Sequence, residues 1–204
     1  MEELVTCEGT VHSIIFQNAE NGYTVLRLLT EEGEVITVVG CIPCVAPGEH
    51  LAVSGVPETH PQHGEQLRAV ELERSLPEDE EEIFSYLSSG ICKGVGPATA
   101  RRIVERFGAE TLDVLEREPE RLTTLKGVTA RKAQEIAESF RQHMGLRRLM
   151  AFLAQYQLPP VLAMELRRQY GDAALEKVRE NPYLLSGEAC GVEFSVTDGI
   201  AMGM

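Results

Sequence analysis

Hydrophobic and polar positions alternate along the first third of this chain and then change period. Leu51-Ala52-Val53-Ser54-Gly55-Val56 and Leu67-Arg68-Ala69-Val70-Glu71-Leu72 set apolar side chains at every second residue, the spacing that lines one face of a strand. Leu4 to Phe16 and Tyr23 to Leu29 are rich in Val, Ile and Leu, with Asn21-Gly22 between them as a hairpin signal. Glu34 to Gly40 follows Glu32-Gly33, His50 to Val56 follows Pro47-Gly48, and Glu65 to Glu73 follows Gly64. Five strands joined by such short turns predict a small closed barrel, and the five-stranded oligonucleotide/oligosaccharide-binding (OB) barrel is the natural candidate. From Ile83 onward the spacing is helical. Pro77 and the acidic run Glu78 to Glu82 separate the two regimes, and carboxylates in the first turn of a helix suit its dipole.

The helical part repeats itself. Ala100-x-x-Ile103-x-x-x-Phe107-Gly108 returns as Ala163-x-x-Leu166-x-x-x-Tyr170-Gly171 and Pro119 returns as Pro182, each 63 residues on, while Gly127-Val128 returns as Gly191-Val192, 64 on. A period of this length signals stacked helical units. Each half holds two hairpins, with Ala100, Ala133, Ala163 and Thr197 at equivalent helix-start positions. The first turn, Cys92-Lys93-Gly94-Val95-Gly96, has two glycines. The second, Leu125-Lys126-Gly127-Val128-Thr129, keeps the first glycine and carries Thr129 at the second; the third, Tyr156-Gln157-Leu158-Pro159-Pro160, has none. The fourth, Gly191-Val192-Glu193-Phe194, puts a carboxylate there, which would repel an anion, so this copy is expected to be structural.

Apolar–x–x–Gly–apolar–Gly followed four residues later by a small side chain is the pattern of a helix-hairpin-helix. Consecutive free amides at a helix N-terminus make an anion site. Glycine lets the backbone approach the ligand and adopts positive φ without a Cβ penalty, and Pro97 suits the first helical position. The candidate phosphate contacts are Lys93, Gly94, Val95, Gly96, Thr99, Arg101 and Arg102 at the first loop, and Lys126, Gly127, Val128, Thr129, Arg131 and Lys132 at the second. Such contacts position a protein on nucleic acid without reading bases. The plain alternative is a glycine turn that only packs two helices together.

The predicted fold is therefore α+β: an OB-like β-barrel over 1–76, then an all-α array of tandem helix-hairpin-helix motifs. The first pair is placed at 77–142 and the second at 143–204, the latter expected to be truncated at its C-terminal end.

Charge sharpens this picture. The whole chain carries −13, which argues against a polyanion partner. Yet residues 1–82 hold 3 Arg, no Lys and 17 Asp+Glu, a net of −14, whereas residues 91–148 hold 12 basic and 8 acidic side chains, a net of +4. Polyanion affinity follows the local surface, not the sum. The basic stretch coincides with the two glycine turns. The barrel offers only Phe16 and Tyr23 for base stacking, so it is expected to hold position or to meet a protein partner.

Other chemistry is sparse. Cys41-x-x-Cys44 and His60-x-x-His63 resemble a zinc pattern, but the histidines are too close in sequence and no glycine knuckle is present, so no metal is expected. Cys92 beside Lys93 at a helix start has a setting that would lower a thiol pKa, against which stands a packed small apolar residue. No Gly-x-x-x-x-Gly-Lys-Ser/Thr loop and no catalytic arrangement is visible, so no catalytic residue is named. No apolar run is long enough for a membrane span, and five scattered cysteines without an export signal fit a reduced, cytoplasmic setting.

Several segments, in order, carry a family resemblance: Gly9-Thr10-Val11 to Ile15-Phe16, Asn21-Gly22-Tyr23-Thr24-Val25-Leu26, Val39-Gly40, Pro47-Gly48-Glu49 and Gly64-Glu65-Gln66. They continue as Tyr86-Leu87-Ser88-Ser89-Gly90, the Lys93-Gly94-Val95-Gly96 turn, Glu118-Pro119-Glu120-Arg121-Leu122, Tyr170-Gly171-Asp172 and Glu180-Asn181-Pro182-Tyr183. The whole chain resembles the N-terminal region of RecD-like ATP-dependent DNA helicases of the long-N-terminus type. Glu193 stands where that family's closing Gly-Ile-Gly-Phe segment has glycine. The resemblance implies a parent that unwinds duplex DNA 5′→3′ with ATP and Mg²⁺, in motor domains expected beyond Met204. This chain would be an accessory module that meets single-stranded or forked DNA and needs no cofactor of its own. Barrel-then-hairpins architecture is also similar to the Holliday-junction-binding subunit of the RuvAB system, although the 63-residue duplication argues against that. A third reading is a protein-interaction module that docks through the acidic barrel without touching DNA.

Overall fold

A computed structural model of the chain describes residues 4–187 and 190–203. The chain forms two compact units, Met1–Arg141 and Gln142–Met204.

The first unit opens with β1 (Val5–Gln17), β2 (Tyr23–Thr30), β3 (Val35–Cys41), β4 (His50–His60) and β5 (Gly64–Ser75). They close into a barrel in the order β1-β2-β3-β5-β4. Every neighbouring pair is antiparallel except β3 and β5. Two bulges in β1, at Val11/Ser13 and Ile14/Phe16, bend the strand so that it serves β4 with its first half and β2 with its second. Val11, Leu26, Leu28, Val38, Leu51 and Val53 fill the interior, joined by Ile42 and Val45 from the β3–β4 loop. β4 runs on to His60, past the Val56 limit that the alternation predicts. Beyond Gly55 it pairs only with β5, so Pro57 lies where one edge is free and its missing N–H is tolerated.

One charged pair is sealed into the barrel wall. Glu49 is fully buried and its Oε2 accepts from Arg74 Nη2 at 3.0 Å and Nε at 3.1 Å. Arg74 also donates to the carbonyls of Pro43 at 2.9 Å and Cys44 at 3.2 Å, while Glu49 Oε1 accepts the Ala46 amide at 3.0 Å. The pair thus fixes the whole β3–β4 loop against the end of β5.

Asp79 caps α1 (Glu80–Tyr86), accepting the Glu82 amide at 2.9 Å. The acidic run does more than favour the helix dipole. Glu82 accepts from Thr10 Oγ1 at 2.9 Å and lies 2.9 Å from His50 Nε2, so its carboxylate ties the helix to β1 and β4. Gly48 presses on the same helix: at φ 89° a Cβ there would collide with the Glu82 carbonyl oxygen. A turn over Leu87–Ile91, kinked at Gly90 with φ 92°, then leads into α2 (Pro97–Phe107), a 3₁₀ turn Gly108–Glu110, α3 (Thr111–Arg117), a 3₁₀ segment Pro119–Thr124 and α4 (Ala130–Gln155). Ile83, Tyr86, Leu87, Ile103, Leu115, Leu122 and Ile136 are fully buried.

α4 continues across the division into the second unit. There α5 (Val161–Tyr170), a 3₁₀ turn Gly171–Ala173, α6 (Ala174–Glu180) and a 3₁₀ segment Pro182–Ser186 restate the α2-to-Thr124 order, and α7 (Phe194–Gly203) follows. The repeat extends to backbone conformation, with Gly108 at φ 53° and Gly171 at φ 62° ending α2 and α5 alike. Among the described residues no helix is long and apolar enough to cross a membrane.

Candidate nucleic-acid interface

Four hairpin turns share one backbone device. Gly94, Gly127, Gln157 and Gly191 all lie in the left-handed region, at φ 85°, 82°, 56° and 61°. The helix-start residues Ala100, Ala133, Ala163 and Thr197 are all buried, at 0, 2, 0 and 0% exposure. Their small side chains let each second helix approach its neighbour.

The first two turns match atom for atom in their hydrogen bonds. Val95 N donates to Cys92 O and Val128 N to Leu125 O, both at 3.1 Å, while Ala100 N reaches Gly96 O at 2.8 Å and Ala133 N reaches Thr129 O at 2.9 Å. Val95 and Val128 point into the core, so their side chains anchor the turns and only their backbone faces outward. The helix starts differ. Gly96 gives α2 no side-chain cap, and among the described residues the amides of Gly94 and Gly96 have no hydrogen-bond partner. At the second turn Thr129 Oγ1 accepts from Lys132 N at 3.2 Å, so part of that helix start is already served. An exposed turn with open amides at an uncapped helix start attracts an anion.

The side chains around the loops sort into distinct settings. Lys93, Lys126 and Lys132 make no ion pair among the described residues. Arg131 pairs with Glu135 at 2.9 Å on an exposed helix face, where such a pair contributes little. Arg101 lies over the Phe84 ring at 3.8 Å and meets Glu81 at 3.1 Å, anchored to α1. Thr99 is buried beneath the helix start. Arg102 donates Nη1 to the Lys126 carbonyl at 2.5 Å, which brings it to the second loop from the first hairpin. Ser139, which the sequence does not single out, accepts the Lys93 amide at 2.8 Å. Nothing in a lone serine on a long helix marks it for that role.

In the fourth turn Glu193 and Phe194 are exposed, and the Phe194 ring stacks on Tyr183 at 5.4 Å, whose hydroxyl donates to Asp198 at 2.9 Å. On the barrel, Phe16 and Tyr23 stand together, rings 6.5 Å apart and about half exposed. Cys41 ends β3, and His60 stacks on His63 at 4.6 Å at the β4–β5 turn. Among the described residues no three His, Cys, Asp or Glu side chains gather where they would hold a metal ion. Cys92 is buried and burial pushes its thiol up to about 12, so the neighbouring Lys93 does not activate it.

Three family models cover the chain in the order the structure shows. Residues 4–77 match the OB-fold domain of the ATP-dependent DNA helicase YrrC, residues 84–142 a SAM-like helix-hairpin-helix tandem, and residues 142–204 the helix-hairpin-helix domain of ATP-dependent RecD2 DNA helicases. The chain carries the N-terminal domains of the RecD-like helicase family. An ATP-dependent RecD2 DNA helicase of Deinococcus radiodurans is 29% identical over 197 residues, covering 93% of this chain and 27% of that protein. The chain thus spans about a quarter of the length of this RecD-like relative. A chain of the S. pombe Stn1-ten1 complex is also similar, with 21% identity, a TM-score of 0.30, and coverage of 35% of this chain and 57% of that one. A score that low carries no weight for function.

Proposed function

We propose that this chain is an accessory DNA-binding region of a RecD-like 5′→3′ helicase, gripping phosphates through its first pair of hairpins without reading sequence. The observation that supports this most is the first turn: open Gly94 and Gly96 amides at an uncapped helix start, beside an unpaired Lys93. Lys126 and Lys132 supply the second point of contact. ATP and Mg²⁺ would serve motor domains that are no part of these 204 residues. The expected substrates are single-stranded and forked DNA. The strongly acidic barrel has no DNA contact in this reading and is open to a protein partner.

Fluorescence anisotropy of labelled single-stranded, forked and four-way DNA across a salt series tests the reading. Each neutralised phosphate contributes about 0.7 to 0.9 to the slope of log affinity against log salt. Lys93→Ala with Lys126→Ala should therefore flatten the slope by about 1.5 and weaken all sequences equally. Gly94→Glu should abolish binding while the circular dichroism spectrum stays unchanged. A chain that binds none of the DNAs at low salt would refute the proposal and leave the interaction-module reading.

A further inference from the structure

The two loops are held by each other's helices, and the hydrogen bonds that do this are reciprocal. Lys93 and Lys126 occupy the same place in the two turns, 33 residues apart. The Lys93 amide donates to Ser139 Oγ at 2.8 Å, and Ser139 lies on α4, the helix that follows the second loop. The Lys126 carbonyl accepts from Arg102 Nη1 at 2.5 Å, and Arg102 lies on α2, the helix that follows the first loop. Arg102 Nε also reaches the Ala98 carbonyl at 3.4 Å, so its fork is fixed at both ends.

We infer that Ser139 and Arg102 are positioning residues that lock the two loops into one bidentate phosphate site. The inference rests on the phosphate-gripping reading above. Three physical points carry it. Both ties end on the backbone of the two lysines, the residues whose charge the loops present. Arg102 is exposed and Ser139 only half-buried, and hydrogen bonds in such places add little net stability to a fold. Their clear effect is geometric. Two contact points on one rigid body give the second contact a high effective concentration once the first has formed, and loops fixed beforehand lose less entropy on binding. Arg102 further covers a carbonyl oxygen on the loop, a partial negative charge that would oppose a phosphate. Its guanidinium is thereby committed to the loop and not held free for the ligand. The Lys93 amide is likewise committed to Ser139, which leaves the Gly94 and Gly96 amides as the anion-facing pair of the first turn.

Ser139→Ala is the cleanest test, because it changes no charge and alanine is a good helix former. With the full chain, a labelled DNA and a salt series, affinity should fall roughly three- to tenfold while the salt slope stays unchanged. Arg102→Lys keeps the charge and loses the fork, and it should show the same fall with the same slope. Hydrogen exchange at the Lys93 amide should quicken in Ser139→Ala, with the melting curve confirming the fold. Wild-type affinity in Arg102→Lys would overturn the inference, since charge alone would then suffice. So would equal or tighter binding by Ser139→Ala, which would make the freed Lys93 amide a phosphate ligand. Unchanged Lys93 exchange would show that no tie exists. If the wild-type chain binds no DNA at low salt, the phosphate reading fails instead, and the exchange measurement still decides whether the loops are tied.

Discussion

Arg74→Met should be among the most damaging single changes in the barrel. Glu49 has no exposed side-chain surface, and Arg74 supplies its oxygens with three N–H contacts between 3.0 and 3.2 Å. Methionine fills much of the volume but donates nothing. The carboxylate then keeps the Ala46 amide at 3.0 Å and loses its counter-charge. The Pro43 and Cys44 carbonyls lose donors as well. Breaking one side of a buried ion pair costs about 3–5 kcal/mol, a large part of the roughly 5–15 kcal/mol that holds an ordinary domain together. Removing both charges together, as Glu49→Leu with Arg74→Met, leaves no orphaned charge and should recover most of that loss. Urea unfolding followed by far-ultraviolet circular dichroism gives both values. If the single variant is no less stable than the double, the pair is not what closes this end of the barrel and the reasoning fails.

Three further outcomes follow from the same geometry. Gly48→Ala forces a side chain onto the Glu82 carbonyl at a positive φ, so it should destabilise the first unit by about 2 kcal/mol or more in urea titrations. Gln157→Gly relieves a left-handed conformation at a non-glycine residue and should raise stability by about 0.5–1 kcal/mol, read as a later urea midpoint. Burial lifts the Cys92 thiol from 9.0 to about 12, so the folded chain keeps a proton that the unfolded chain releases. That contribution is complete below about pH 9 and is lost as pH rises toward 12. Cys92→Ala should remove that part of the alkaline decline in the urea midpoint, and native Cys92 should resist alkylation at pH 8 that modifies it once unfolded.

Much of this architecture was legible because its signals are local. Alternation in Leu51 to Val56 and Leu67 to Leu72, with glycine turns between runs, is enough to read a strand whose one face is a core. The 63-residue period works because Ala100 and Ala163 both sit where only a small side chain fits, and both are fully buried. The interface was less legible, since its side-chain partners are far apart in sequence. Arg102 and Lys126 are separated by 24 residues and Lys93 and Ser139 by 46. Each is a common surface residue type whose partner no pattern reveals. Charge next to a glycine turn marked Arg101 and Arg102 as phosphate contacts, yet one is engaged by Phe84 and Glu81 and the other by a loop carbonyl. Thr99 looked available from its place at a helix start and is turned inward.

The hairpin glycines themselves separate two demands that the motif merges. All four turns adopt the left-handed residue, including the third, where glutamine takes it, and including the fourth, where a glutamate follows. That conformation is therefore what reversing the chain between packed helices requires, whatever the turn meets outside. It cannot mark an anion site. The second glycine position carries the distinction. Gly96 leaves the start of α2 without a cap, Thr129 supplies a hydroxyl to the start of α4, and Glu193 presents a carboxylate before α7. Ranked by the amide surface left open and by the charge placed on it, the first turn is the best suited to a phosphate, the second intermediate and the fourth opposed. The graded second position, more than the presence of a glycine turn, is what favours the first pair of hairpins as the DNA contact in the proposed function.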